Sequence, residues 1–229
     1  MKHQPVELTA ELSAEIIDHM GTELSIVNAA RVSLNQHSEA FTDREAGLIG
    51  FLMKNRHASP FEHCVATVRV EAPIFVAREW HRHRTQSYNE VSGRYTELKP
   101  VFYAPNYDRP LIQAGKPGAY KFELPEDDMT YIMLYREFRF ACQTAWNTYE
   151  YLLNEGVAKE VARMVLPVNT YTGWYATASL RNWINFLSLR AEEQAMFEIR
   201  QLAYQVEEQL TALFPVTMKT WIDNGRGPL

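Results

Sequence analysis

One amphipathic stretch, Asp127 to Gly156, constrains this chain more than any other. Ile132, Tyr135, Phe138, Cys142, Ala145 and Tyr149 recur at helical intervals, Asp127 and Asp128 can cap the start, and Gly156 suits the stop. Such a stripe has to be buried, in a core or against another subunit. With 229 residues, 46% of them hydrophobic, the chain has enough apolar side chains to do this within one globular domain, 1–229. No internal repeat, low-complexity segment or Gly/Ser/Pro-rich linker marks a boundary.

Shorter signals complete the outline. Thr42-Asp43-Arg44-Glu45 has capping-box spacing, and Ala46, Ile49, Leu52 and Met53 carry a helix to about Arg56. From Glu62 to Glu71, Cys64, Ala66, Val68 and Val70 alternate with Thr67, Arg69 and Glu71, which predicts a strand. Pro73 suits the first turn of a helix over Ile74 to about Arg82. A short helix from Ala158 to Leu166 stops at Pro167, and Asn169 to Thr177 reads as extended. Ser179 can cap a helix through Arg190, and a last helix runs from Glu192 to Leu213 before Pro215. The sum is an α+β fold, helix-rich with a small antiparallel or mixed sheet.

The formal charge of −5 disfavours nucleic acid as the main partner, because phosphate backbones call for a basic excess. Cys64 and Cys142 are too few for a disulfide framework and fit a reducing compartment. The segment Met1-Lys2-His3-Gln4-Pro5 has no apolar region, and no apolar run approaches the roughly 20 residues that span a bilayer. A soluble, cytoplasmic protein without membrane attachment is expected.

Arg and His crowd the segment Arg78 to Tyr95 of this otherwise acidic chain. Such crowding is repulsive unless anions answer it. Arginine suits bidentate recognition of phosphates and carbonyl-rich rings, and Ser87, Asn89, Ser92 and Gly93 favour turns whose N–H groups can also face an anion. A solvated surface patch is the competing reading. The apolar Ile74-Phe75-Val76-Ala77 before the cluster, and Trp80, Tyr88 and Tyr95 within it, favour a pocket for a phosphorylated, planar ligand.

Arg82-His83-Arg84-Thr85-Gln86-Ser87-Tyr88-Asn89-Glu90-Val91-Ser92-Gly93-Arg94-Tyr95 resembles the signature R-H-R-x-x-S-x-N-x-x-S-x-R-Y of the flavin-dependent thymidylate synthases, the ThyX family, at every fixed position. The similarity extends to His57–His63, Ala162–Pro167 and Asn185–Arg190. The resemblance implies a ThyX-like fold and conversion of dUMP to dTMP, with FAD as cofactor and NADPH and methylenetetrahydrofolate as co-substrates. It assigns His57, Ser59, Arg82, His83, Arg84, Asn89, Glu90, Ser179, Leu180, Arg181 and Asn185 to FAD. To dUMP it assigns Glu79, Trp80, His81, Arg82, Glu90, Val91, Ser92, Gly93, Arg94, Arg163 and Arg190. Arg190 is the catalytic candidate, because a guanidinium at the uracil edge stabilises charge on the ring nitrogen between its carbonyls. A homotetramer with active sites at subunit interfaces is implied as well. Two departures stand out: many members have Gln where this chain has Glu79, and Glu193–Arg200 lacks a common His-Ala-Gln.

Other readings compete. Ser92 has no adjacent base and reads as a hydrogen-bond donor in the substrate loop, not a nucleophile. His57 and His63 lack a Cys or carboxylate set to complete a metal shell, and neighbours such as His81 and His83 diverge on a helix, so no metal is expected. Arg181, Asn185 and Ser188 can share one polar helix face. A thymidylate synthase with a cysteine nucleophile would need one of two thiols that both read as buried and inert. A non-catalytic RNA-binding module would use the same basic, aromatic segment and is opposed by the acidic balance.

Overall fold

The long amphipathic stretch folds as α4 (Met129–Asn154) in a computed structural model that describes residues 4–116 and 119–229. Met1–His3, part of the N-terminal segment weighed above, lies outside the described residues. Gly156 takes φ +79, and the amides of Gly156 and Val157 return to the carbonyls of Leu153 and Leu152, the paired bonds of a Schellman stop. At the other end Asp127, not Asp128, accepts the Met129 amide, at 3.0 Å. Cys142 and Tyr149 of the predicted stripe are buried and are joined by Tyr131 and Trp146, while Ile132 is exposed.

The chain divides into two compact units. The first takes residues up to Glu11, Ala72–Ala77 and Val91–Thr172. In it β1 (Glu7–Thr9) pairs in parallel with β5 (Val101–Tyr103), and β6 (Ile112–Lys116) pairs antiparallel with β7 (Ala119–Glu123). After α4 come α5 (Lys159–Ala162) and a 3-10 turn, Arg163–Val165. Cys142, Trp146 and Tyr149 of α4 pack with Val6, Phe102 and Ala162.

The second unit takes Leu12–Glu71, Arg78–Glu90 and Gly173–Leu229. A sheet in the order β2-β3-β8-β4 joins β2 (Ser13–Met20), β3 (Val65–Pro73), β8 (Tyr171–Ser179) and β4 (Ser87–Glu90). The helices are α1 (Glu23–Arg31), α2 (Asp43–Lys54), α3 (Ile74–Trp80, from Arg78 onward in this unit), α6 (Leu180–Arg190), α7 (Phe197–Leu213) and α8 (Pro215–Asp223). Alternation along β3 is as predicted, with Cys64, Ala66, Val68 and Val70 all buried. Under the sheet, Trp80 packs on Phe186 at 4.4 Å, Trp174 at 5.6 Å and Trp183 at 6.2 Å between ring centroids. Such a cluster buries more apolar area per residue than any aliphatic set, and it fixes α3 and α6 against each other. The edge strand β2 is covered by side chains of α7: Gln205 and Gln209 accept the amides of Ala14 and Ile16 at 2.8 and 2.7 Å and donate to the carbonyls of Leu12 and Ala14.

The helix-rich α+β architecture is the one expected, with local differences. Pro73 closes β3 instead of opening α3, as the last residue of that strand. Glu62 and His63 belong to a 3-10 turn, Ser59–His63, ahead of the strand. Ser87 and Asn89 lie in β4, paired with Thr177 and Tyr175, not in turns. Residues 192–196 are not helical, and α7 starts at Phe197. Pro215 opens α8, where an N1 proline loses nothing, since that amide has no helical acceptor. Thr42 precedes α2 as expected, but its hydroxyl donates directly to the Glu45 carboxylate. Glu45 also receives Arg31 at 2.7 Å and Ser38 at 3.0 Å.

Candidate functional site

The Arg/His segment leaves α3 at Trp80 and turns back into β4. Amides of His83 and Gln86 bond to the carbonyls of Trp80 and His83, which makes the turn tight. Two side chains at variable positions of the signature hold it. Gln86, buried, accepts the Trp80 indole N–H at 3.0 Å, and the Tyr88 hydroxyl donates to the His83 carbonyl at 2.8 Å. The turn sorts its side chains by alternation. His81 and His83 are half-buried, whereas Arg82 and Arg84 are exposed and their guanidinium groups have no ion pair or hydrogen bond among the described residues. Trp80 is fully buried, so its indole belongs to the core. The His81 ring packs on Tyr88 at 4.4 Å and Trp174 at 5.5 Å, and burial pushes its pKa down.

Arg190, the last residue of α6, meets this turn. Its Nε–H donates to His83 Nε2 at 2.9 Å, and its Nη1 is bonded to the Glu79 carboxylate. Burial, reinforced by the guanidinium charge, pushes the His83 pKa down to about 4. His83 is therefore neutral near pH 7 and offers a lone pair to Arg190. The Glu79 and Arg190 side chains are 25% and 17% exposed, a shielded pair with weaker solvent screening than one at the surface.

The start of α6 carries the polar face expected of it. Ser179 accepts the Asn182 amide as N-cap, and Leu180 is buried with its N–H on the Cys64 carbonyl. Arg181 is ion-paired to Glu62 at 2.5 Å, and Asn185 Oδ1 accepts the Leu229 amide at 2.7 Å. Ser188 instead donates to the Asn185 carbonyl of its own helix. His57 and Ser59 are exposed just beyond α2. They are delivered there by Arg56, which takes the left-handed conformation (φ 54) usually left to glycine at a helix stop.

The first unit holds its own cluster. Ser92 starts a tight turn in which its hydroxyl accepts the Arg94 amide and its carbonyl accepts the amides of Tyr95 and Thr96. Arg94 Nε donates to Glu160 of α5 at 2.7 Å, and Lys159 reaches Glu97 at 3.4 Å. Arg163 is exposed, and its Cδ would lie 3.1 Å from a Cβ placed on Gly93. Val91 is exposed as well, and Asn89 and Glu90 are exposed on β4 of the other unit.

The substrate and cofactor residues anticipated from the sequence thus form groups of their own: Glu79, Arg82, His83, Arg84 and Arg190 in one unit, and Ser92, Gly93, Arg94 and Arg163 in the other. Sequence reasoning did not single out Glu62, Gln86, Glu160 or Leu229. Gln86 sits at a variable signature position, and the two carboxylates have no local pattern, being recognised only by the arginines that fold against them.

Fold and site define a helix-rich α+β protein whose signature turn, backed by Trp80 and Trp174, carries the exposed Arg82 and Arg84 and meets Arg190 at the end of α6. The model of the thymidylate synthase complementing protein family matches residues 15–216. A flavin-dependent thymidylate synthase of Tropheryma whipplei (strain TW08/27) is 44% identical, the match covering 97% of this chain and 96% of that protein. One of Streptomyces coelicolor is 39% identical over 96% and 95%. The crystal structure of the UMP/dUMP methylase PolB from Streptomyces cacaoi, bound with 5-Br UMP, superposes with TM-score 0.91 at 38% identity and covers 98% of this chain and 99% of that one. The chain belongs to the flavin-dependent thymidylate synthase family, an enzyme family.

Proposed function

We propose that this chain carries out the flavin-dependent reductive methylation of dUMP to dTMP. The observation that carries the reading is the meeting of Arg190 with His83, 107 residues away in sequence, which fixes a guanidinium beside the signature turn. A guanidinium against the uracil edge stabilises negative charge at the ring nitrogen between the two carbonyls, so the ring is activated without a covalent nucleophile. The thiols fit this. Both are buried, and burial pushes them up, Cys64 to about 12, so little thiolate is available for attack.

Arg82 and Arg84, exposed and without an ion pair or guanidinium hydrogen bond among the described residues, suit the diphosphate of FAD. His57, Ser59, His83, Asn89, Glu90, Ser179–Arg181 and Asn185 are the further FAD contacts in this reading. FAD held there would supply hydride chemistry, with NADPH as reductant and methylenetetrahydrofolate as one-carbon donor. His81, Arg82, Glu90–Arg94 and Arg163 hold dUMP, with Trp80 contributing backbone only. The two compact units act as one catalytic domain, a reading supported by the uninterrupted family match. A cytoplasmic location and a homotetramer with sites shared between subunits go with the family resemblance, and such association would cover the exposed Ile132, Met133 and Phe140 of α4. No described helix is long and apolar enough to cross a membrane.

The test is dTMP formation from dUMP, methylenetetrahydrofolate, FAD and NADPH, run beside Arg190→Ala. Removal of a charge-stabilising donor of this kind costs about 10²–10³ in kcat. The variant is expected to lose that much while keeping its flavin absorbance. Wild-type protein that forms no dTMP, or a variant with unchanged kcat, overturns the proposal.

A further inference from the structure

The segment that follows α8 folds back over its own helices. Gly225 and Arg226 take left-handed conformations (φ 83 and 57), and their amides return to the carbonyls of Ile222 and Trp221 at 3.0 Å, a Schellman stop that reverses the chain. Arg226 then pairs with Glu207 of α7 and lies over the Trp221 ring at 4.7 Å, while the Trp221 indole donates to the Gly227 carbonyl at 2.8 Å. These contacts carry Leu229 to α6. Its amide donates to Asn185 Oδ1 at 2.7 Å, and its carbonyl accepts Arg181 Nε–H at 3.4 Å. A backbone N–H can only donate, so the atom of Asn185 that meets it has to be the oxygen. The Asn185 NH2 is left over, with no bond among the described residues. Arg181 is divided in the same way: Nε on Leu229, Nη1 on Glu62, and Nη2 with no bond among the described residues.

We propose that Gly225–Leu229 is a positioning strap for the polar face of α6: by engaging Asn185 Oδ1 and Arg181 Nε it leaves the Asn185 NH2 and Arg181 Nη2, one helical turn apart, as a pair of donors for FAD. FAD offers acceptors in its diphosphate, ring nitrogens and carbonyls, so a donor-only face matches it. Without the Leu229 N–H, the Asn185 amide is free to turn over and set its oxygen against those acceptors, and ordering it falls to the cofactor. The inference rests on the assignment of Arg181 and Asn185 to FAD made above. A strap that instead competes with the cofactor would have to lift, and the helix stop, the ion pair to Glu207 and the indole bond all hold it down.

Leu229→Pro removes the N–H that Asn185 accepts, Leu229→Ala keeps it, and Arg226→Ala cuts the strap's hold on Glu207 and Trp221 without touching α6. FAD affinity of the full chain is measured by quenching of flavin fluorescence, beside urea midpoints that confirm folding. Loss of one positioned hydrogen bond corresponds to roughly fivefold in affinity, the weakening expected for Leu229→Pro and Arg226→Ala, whereas Leu229→Ala stays within about twofold. Because the strap acts through Asn185, Leu229→Pro made in an Asn185→Ala background is expected to cost nothing further, a non-additivity that lost packing alone does not produce. Tighter FAD binding in either strap variant, as competition requires, overturns the proposal. So does an unchanged affinity, or a double variant whose losses simply add. Folded wild-type protein that takes up no FAD defeats the cofactor reading and the strap's role together; uptake that is indifferent to the strap defeats the strap alone.

Discussion

Replacing Gly93 with alanine separates binding from folding in the first unit. The new Cβ would meet Arg163 Cδ at 3.1 Å, Leu98 Cδ1 at 3.4 Å and Arg163 Nη1 at 3.5 Å. Only the first contact is tight, and relieving it asks for a shift of a few tenths of an ångström. Arg163 is exposed and long, so it gives way at little cost. Gly93 is not among the glycines at positive φ, so alanine also reduces unfolded-chain entropy, worth about 0.4–1 kcal/mol in favour of the fold. The two effects nearly cancel, and stability is expected to change by less than about 1 kcal/mol. Function is more sensitive. If Arg163 holds the nucleotide, and a misplacement of about 1 Å costs up to 10²-fold, a few tenths corresponds to roughly a threefold to tenfold weakening. The assay is KM for dUMP beside chemical denaturation of wild type and Gly93→Ala. An unchanged KM in a normally folded variant, or a fall in kcat alone, would refute the reasoning.

Two further outcomes follow from groups elsewhere. Alanine at both Cys64 and Cys142 is expected to leave kcat within about threefold, since buried thiols with raised pKa supply little nucleophile; abolition of turnover in a folded Cys64→Ala variant would favour a cysteine mechanism. Glu45 has its pKa lowered, chiefly by the Thr42 hydroxyl and further by Ser38 and Arg31 against the opposing effect of burial. Its contribution to stability is therefore full above the ordinary value of 4.5 and is lost as pH falls through the lower folded value. Urea midpoints of wild type should drop over that acid range, and Glu45→Gln should be less stable near neutrality with a flatter acid limb; parallel curves for the two proteins would exclude this role.

Local pattern made α4, α6 and the β3 alternation readable, because each is driven by side chains a turn or a pleat apart. The Schellman stop at Gly156 and the Ser179 cap are local in the same sense. Pairings made across the chain were not readable. Ser87 and Asn89 have turn propensity, yet they form β4 because β8, more than eighty residues later, supplies the ladder at Thr177 and Tyr175. α7 ends at Leu213, ahead of Pro215, as its sequence indicates, but the further helix that Pro215 opens was not readable, since proline suits both the position after a helix and the first turn of one. The site divides the same way. The arginines of the signature were legible through the family resemblance, while the carboxylates that hold three arginines in place, Glu79 on Arg190, Glu62 on Arg181 and Glu160 on Arg94, carry no sequence spacing that announces them.

The glutamines of α7 along β2 have a bearing on assembly. Their amides mimic the alternating donor and acceptor of a neighbouring strand, so over Leu12–Ile16 the outer rim of the sheet is already shuttered by the chain's own helix. A second copy finds no open ladder there to template on. Association between copies is thereby steered away from this stretch of the rim, without a proline or a lysine there.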